Sequence, residues 1–353
     1  MINKFNTIAI SRTDNIGDVV LALPVAGIIR KYYPDAEIIF IGKAYTRSVI
    51  ETSIFINRFI DRDEIINNPL LLGTLNIDVI IFVYSDHVLA SLARKANIEV
   101  RIGSFHKIHH LWNCTHRINF SRRRSKLHES QLNFKLLKPL GIPTYIEKID
   151  IPSLYGMKNI ASLPDRLKKF LSDDKFNLII HPKSHGHGKE WPPQKYFELC
   201  NKLSADHFNV IFTGTSKEKV FIQEHFNFLF EHFSSIHNAA GEMNLTEFIS
   251  FISNADGLLA SGTGPLHIAA ALGKVSIGFF PPMAPVFSQR WENLGEKAFH
   301  FELDHCMFQY HCRKEKGCKC IESIEVDEVV NLLLKVAQEK KLSTELVKRD
   351  IHK

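Results

Sequence analysis

The chain lacks any apolar run near the roughly 20 residues that a bilayer-spanning helix needs. Met1 to Lys4 lead directly into Thr7-Ile8-Ala9-Ile10-Ser11, with no charged leader, apolar core or small-residue cleavage site. No secretory signal is therefore expected, and the cytoplasm is the expected address. Cysteine is scarce, six in 353 residues, which excludes a disulfide scaffold. No Gly-x-Gly-x-x-Gly follows the first apolar run, which argues against a dinucleotide-dependent oxidoreductase. Internal repeats and low-complexity tracts are also missing. What remains is an ordinary globular composition, 45% hydrophobic and 23% charged, in a chain too long for one core and about right for two domains.

Negative charge is missing from one stretch in particular. Residues 101–126 contain Arg101, Lys107, Arg117, Arg122, Arg123, Arg124 and Lys126 with no Asp or Glu, although the whole chain carries a net charge of only +6. Such a block points to an anionic partner: a phosphate, an acidic sugar, a lipid headgroup or nucleic acid. A solvated basic loop is the plainer alternative.

Short runs rich in Ile and Val alternate with helix-length segments. Strands are predicted at 7–11, 37–42, 77–83 and 99–103, then at 177–181, 208–213, 256–261 and 275–280. Consecutive apolar positions suit parallel strands buried on both faces, and the spacers suit crossover helices. The rhythm breaks between about 140 and 176, where Pro143, Pro152 and Pro164 punctuate a polar stretch, so the interdomain linker is placed there. Val329, Val330, Leu332, Leu333 and Val336 recur at helical spacing and predict an amphipathic helix at the end of the chain.

Three turns carry residues suited to chemistry. The first strand runs into Arg12-Thr13-Asp14-Asn15-Ile16-Gly17-Asp18. Gly17 permits a tight turn, and Asp18 then serves either as a helix cap or as a general base at a strand's carboxyl end. Pro24 implies that the helix restarts or kinks there. The predicted strand ending at His181 leads into Pro182-Lys183-Ser184-His185-Gly186-His187-Gly188-Lys189-Glu190-Trp191-Pro192. This is a flexible, lysine-bearing loop that fits an anion site but lacks the Walker A spacing. Its three histidines have no carboxylate or cysteine pattern beside them, so no metal is expected. The third turn, Ser261-Gly262-Thr263-Gly264-Pro265-Leu266-His267, places Pro265 at a helix start, where unpaired N–H groups and the helix dipole favour a diphosphate.

Taken in order, Gly17-Asp18-Val19, His181-Pro182 through Lys189-Glu190-Trp191-Pro192, and Gly264-Pro265-Leu266-His267-Ile268-Ala269-Ala270-Ala271-Leu272-Gly273 resemble glycosyltransferase family 9, the ADP-heptose:lipopolysaccharide heptosyltransferases. The resemblance extends over most of residues 5–325. It implies an α/β GT-B fold: two Rossmann-like, doubly wound domains facing a cleft, here an acceptor-binding domain at 1–163 and a nucleotide-sugar domain at 173–325, followed by the helix at 326–353. It further implies an inverting, metal-independent transfer of a heptose or related sugar from an ADP-activated donor to a hydroxyl of the lipopolysaccharide inner core, with no cofactor and no nucleic-acid partner.

Asp18 is then the implied base. Lys189, Thr263 and Gly264 would hold the diphosphate with His267 close by, and Ser184, Glu218 and Met243 match further donor positions. Arg122, Arg123 and Arg124 become the expected acceptor contacts, and a peripheral contact with the inner membrane's cytoplasmic face is a further expectation. One departure stands out: Gly262 occupies a position where many members carry Asp, which bears on the donor sugar.

Cys306, Cys312, Cys318 and Cys320 crowd into fifteen residues beside His305 and His311. Without a Cys-x2-Cys pair they read as reduced thiols in a loop, with a structural metal as the alternative. Two other functions share the fold class: a GT-B enzyme using a different nucleotide-sugar for another cell-surface glycan, and a catalytically dead binding module.

Overall fold

The structure is a computed structural model that describes residues 5–122, 124–184, 189–306 and 318–351, with side chains described as far as Leu342. The predicted sites at Arg123, the His185–Gly188 stretch, His311 and Cys312 lie outside the described residues. The chain divides into two compact units: Met1–Ala161 with Ala270–Gly273 and Gln289–Glu296, and Ser162–Ala269 with Lys274–Ser288 and Lys297–Lys353.

The first unit is built on a six-stranded parallel sheet. Its strands are β1 (Thr7–Ser11), β2 (Glu37–Gly42), β3 (Arg58–Asp61), β4 (Val79–Phe82), β5 (Val100–Ser104) and β6 (His116–Ile118), in the order β3-β2-β1-β4-β5-β6. All residues of β1 and β4 are buried, as expected of strands covered on both faces. The order reverses direction at β1, between β2 and β4. The chain leaving β1 is stitched to both neighbours: Arg12 N–H donates to Ile41 O at 3.1 Å, and Val83 N–H to Ser11 O at 3.0 Å. In open α/β sheets, ligands bind outside the carboxyl ends of the strands at such a reversal.

After β1 a short helix, Ile16–Val20, ends before a second begins at Leu23 with Pro24 in its first turn, the restart that the proline implies. Much of the polar stretch read as linker is packed into this unit. Ile151, Leu154 and Tyr155 are buried. A Cβ on Gly27 would stand 2.3 Å from Leu154 O, so the helix Leu23–Tyr32 meets the 148–154 segment at a distance only glycine permits.

The second unit holds an equivalent parallel sheet: β7 (Phe176–His181), β8 (Phe208–Phe212), β9 (Ile236–Asn238), β10 (Gly257–Ser261), β11 (Val275–Phe279) and β12 (Ala298–Phe301), in the order β12-β11-β10-β7-β8-β9. The central reversal falls at β7, between β10 and β8. The terminal helix Val326–Ile351 places Val329, Val330, Leu333 and Val336 in this unit's core, beside Leu199 and Trp191.

Candidate active site

In the first unit, the reversal at β1 gathers a dense charge cluster. Asn15 precedes the helix Ile16–Val20, and Asp18 lies in that helix's first turn. Asp18 is not the N-cap; its carboxylate is paired with the Arg12 guanidinium. Arg12 is 3% exposed and also holds Asp14 at 2.7 Å and Glu129 at 3.3 Å. Tyr45 Oη donates to the Asp14 carbonyl at 2.5 Å, fixing the turn.

Glu129, 1% exposed, is the hub. Arg12 and Arg122 reach its Oε1, and Arg290 donates to its Oε2 from Nη2 at 3.1 Å and Nε at 3.3 Å. Arg290 comes from the late segment Gln289–Glu296 that belongs to this unit. Its Nη1 also donates to Arg122 O at 3.0 Å. Burial by itself would raise the Glu129 carboxyl, but Arg122, Arg12 and Arg290 together hold it below the usual carboxylate range. Asp14 behaves in the opposite way: burial, reinforced by Asp18, pushes it up to about 6 against the pull of Arg12.

The basic block does not form one continuous surface. Arg122 turns inward, donating to Val83 O and to Asn133 Oδ1, both at 3.1 Å, besides pairing with Glu129. Arg101 donates from Nε to Asn113 O at 2.7 Å. Among the described residues of the block, Lys107, Arg117, Arg124 and Lys126 are the exposed members. Arg122 is half-buried, and its pairing with the buried Glu129 carboxylate gives it a structural partner within this unit. Glu129 is the first acid after the acid-free block, a signal that identifies it as the block's counter-ion. Arg290 carries no comparable signal in the sequence.

In the second unit, the sheet order places β10, β7, β8 and β9 side by side, so the loops that follow them share one end of the sheet. Those loops carry Thr263, Ser184 with Lys189, Glu218 and Met243 respectively. Ser184 is buried, and its N–H and Oγ both donate to Glu190 Oε1, at 2.8 and 2.9 Å. The other Glu190 oxygen takes Lys183 Nζ at 2.5 Å, and that ammonium lies 4.3 Å from the Phe221 ring centroid. Lys183 and Glu190, which the motif does not single out as a pair, thus shape this loop together. Glu218 accepts from Thr215 N–H at 2.7 Å and from Thr215 Oγ1 at 3.0 Å, closing the turn after β8. Lys189 and Met243 are half-buried.

The turn after β10 is different in kind. Thr263 precedes the helix Gly264–Ala271, and no residue from Ser261 to His267 is charged. Thr263 Oγ1 and His267 Nδ1 are buried polar atoms without a hydrogen-bond partner among the described residues. Burial lowers the His267 pKa to about 4, so its ring is neutral at pH 7 and acts through hydrogen bonding rather than charge. A Cβ on Gly262 would come 2.8 Å from Phe280 Cε1, and Phe280 is itself buried. The Phe280 ring thus fills the space from which any side chain at position 262 would start.

Cys114, Cys200, Cys306, Cys318 and Cys320 are all thiols, with the Cys306 and Cys320 sulfurs 3.7 Å apart. Among the described residues, no group of three or more His, Cys, Asp or Glu is placed to hold a metal ion.

The family model described as glycosyltransferase family 9 (heptosyltransferase) matches residues 72–321, more than half of the chain. The chain belongs to that family. It is a glycosyltransferase, and heptose transfer to the lipopolysaccharide core is the family-level activity. The lipopolysaccharide core heptosyltransferase OpsX of Haemophilus influenzae is 25% identical over 94% of this chain and 96% of its own. A glycosyltransferase family 9 structure from Veillonella parvula matches with TM-score 0.75 at 18% identity, covering 96% of this chain and 99% of that one. The ADP-heptose lps heptosyltransferase II of Escherichia coli matches with TM-score 0.72, also at 18% identity, over 95% and 99%. The two parallel sheets are those of the family's GT-B fold.

Proposed function

We propose that this family 9 enzyme is an inverting transferase that uses Asp18 as general base and moves a heptose from an ADP-activated donor to a hydroxyl of the lipopolysaccharide inner core. In that step the acceptor oxygen attacks the anomeric carbon, the bond from that carbon to the diphosphate breaks, and its electron pair leaves on the diphosphate. The acceptor's proton passes to Asp18. The sugar becomes oxocarbenium-like while negative charge grows on the leaving group.

The observation that carries the donor reading is the uncharged turn at Thr263-Gly264. It offers a helix N-terminus and two buried polar side-chain atoms with no hydrogen-bond partner among the described residues. Backbone N–H groups preorganised there stabilise the departing diphosphate without needing to reorient. Lys189 adds the positive charge that this turn lacks. Ser184, Glu218 and Met243, on neighbouring strand ends, complete the donor set. The name of the Escherichia coli structure supports ADP-heptose as the donor, whereas Gly262 removes a side chain that would otherwise contact sugar hydroxyls.

For Asp18, the pairing with Arg12 orients the carboxylate at the β1 reversal. Arg124, exposed in the acid-free block, is an acceptor contact. Arg122 supports it from within. The test is a transfer assay that pairs a panel of nucleotide-sugars with truncated lipopolysaccharide acceptors. ADP-heptose with an inner-core acceptor should give the highest turnover and a product of inverted anomeric configuration. Retention of configuration, or preference for a UDP- or GDP-sugar, overturns the assignment.

A further inference from the structure

The cysteine-rich stretch after β12 takes no part in the proposed reaction, yet the fold brings two of its thiols together. Cys306 lies beyond the end of β12, outside any helix or strand, and is half-buried. Cys320 stands in the short helix Lys319–Glu322 and is 1% exposed. The two are fourteen positions apart in sequence, and their sulfurs are 3.7 Å from each other. Cys318, Cys320, Ile321 and Ile324 belong to the core of the second unit, and Cys306 packs against that core from its edge.

Access to solvent separates these thiols. Cys114, Cys200, Cys318 and Cys320 are buried, so Cys306 is the half-buried one among the described cysteines. Burial pushes the Cys114 thiol up to about 12 and raises Cys200 as well, which keeps both in the unreactive protonated form. A dissolved oxidant therefore meets Cys306 first, with Cys320 the thiol in contact with it. Among the described residues no third His, Cys, Asp or Glu joins these sulfurs in a group able to hold a metal ion. Two contacting sulfurs, one of them open to solvent, are what disulfide formation requires.

We propose that Cys306 and Cys320 are a site of reversible oxidation, an intrachain disulfide made by a peroxide and undone by a dithiol reductant. The Cys306 thiolate attacks one peroxide oxygen, the O–O bond breaks, and a sulfenic acid forms as water leaves. The Cys320 thiolate then attacks that sulfur; the S–S bond forms, and the hydroxyl departs as a second water. Two thiols and one hydrogen peroxide give one disulfide and two waters, the sulfurs losing the two electrons that the peroxide gains. The sulfurs must close from 3.7 Å to about 2.05 Å. Cys306, free of regular structure, makes this approach, while Cys320 is held in the core beside Ile321. The bond ties the chain after β12 to the entry of the terminal helix Val326–Ile351, whose Val329 and Leu333 lie in the same core. Such a cross-link restricts the unfolded chain, so the oxidised form is the more stable one. This inference does not depend on which sugar is transferred.

The test treats the full reduced chain with one equivalent of hydrogen peroxide and counts thiols after denaturation. The count should fall by two and recover with dithiothreitol. Trypsin places Cys306 and Cys312 in one peptide, bounded by Lys297 and Arg313, and Lys319 separates Cys318 from Cys320. In a Cys312→Ser background, the peptide holding Cys306 should therefore appear joined to the one beginning at Cys320, lighter than their sum by two hydrogens. Oxidation should raise the melting temperature by roughly 5 °C. Cys306→Ser and Cys320→Ser should each abolish the joined peptide and the shift, whereas Cys312→Ser and Cys318→Ser should keep both. A link from Cys320 to Cys318 or Cys312 overturns the proposal. So does oxidation to sulfinic acid without a cross-link, a thermal shift that survives in Cys306→Ser, or a metal ion that stays with the reduced chain and shields these thiols. If Cys320→Ser melts earlier than the reduced wild type, Cys306→Ser, at the half-buried position, decides the matter.

Discussion

The turn after β1 and the turn after β10 both leave the carboxyl end of a buried parallel strand and enter a helix, yet they are built on opposite electrostatic plans. Around the first, three cations (Arg12, Arg122, Arg290) face three carboxylates (Asp14, Asp18, Glu129) in a linked set of ion pairs. Around the second there is no charge from Ser261 to His267, a histidine held neutral by burial, and a helix start. The difference matches the two tasks we propose for these turns. Accepting a proton calls for a carboxylate whose surroundings are fixed in charge and geometry. Receiving a departing diphosphate calls for dipoles that do not carry a competing anion. The charge-dense turn therefore depends on buried partners being complete, whereas the uncharged turn depends on shape.

The comparison breaks most visibly if the hub is removed. Glu129→Gln leaves three buried or half-buried guanidinium groups without their shared carboxylate and should cost about 3–5 kcal/mol in stability, measured by denaturant unfolding. A loss below about 1 kcal/mol would mean that the cluster is not a coupled unit. The pH sign follows from the lowered Glu129 pKa. Its stabilisation is fully present above its unfolded value near 4.5 and is lost as pH falls through the lower folded value. The wild type should therefore show this acid loss, and Glu129→Gln should lack it.

Next in size, Asp18→Asn should lower kcat by on the order of 100-fold or more, equivalent to about 2.7 kcal/mol of barrier, while leaving donor affinity near normal. Near-normal turnover in that variant removes Asp18 from the proton-transfer role and leaves it as a partner of Arg12 only.

On the uncharged side, Gly262→Asp introduces the acid that the family resemblance leads one to expect there, but forces the buried Phe280 ring to move. We expect a loss of about 1–3 kcal/mol from overpacking without any gain in turnover on ADP-heptose. Pairing it with Phe280→Ala should relieve the clash, so the double variant separates a steric cause from an electrostatic one. If Gly262→Asp alone is as stable as the wild type, the steric reason given for the glycine is wrong.

The smallest expected effect sharpens the charge side. Below about pH 6 Asp14 takes up a proton, the cluster gains a net positive charge, and Arg12 bears more strongly on Asp18. A carboxylate held more tightly by its arginine is a poorer base, so kcat should fall severalfold as pH drops through about 6. Asp14→Asn mimics the protonated state and should show the lower rate at neutral pH with that step removed. A wild-type profile flat between pH 5 and 7 would count against any coupling of Asp14 to Asp18.

Much of this was legible in the chain before folding. The eight strands predicted from apolar runs are β1, β2, β4, β5, β7, β8, β10 and β11, each matched to within about two residues at its ends. The four that were not predicted are β3, β6, β9 and β12, the two edges of each sheet. An edge strand has one neighbour and partial solvent exposure, so it needs no continuous apolar run. Arg58–Asp61 and His116–Ile118 are largely polar and half-exposed, and only pairing with β2 and β5 makes strands of them.

The same division holds for the site. The Gly17-Asp18, Ser184–Lys189 and Gly264–His267 segments announce themselves because a turn at a strand end needs glycine, proline and capping residues in consecutive positions, and that requirement is local. The linkage of Arg12 and Arg290 to Glu129 joins residues more than a hundred positions apart. So does the packing of Gly27 against Leu154. Sequence alone determined where the strands turn and which side chains stand at those turns. Tertiary structure decided which of the arginines in the basic block stay in solvent and which are drawn inward, because the free energy of a buried charge depends on the partner that folding brings to it.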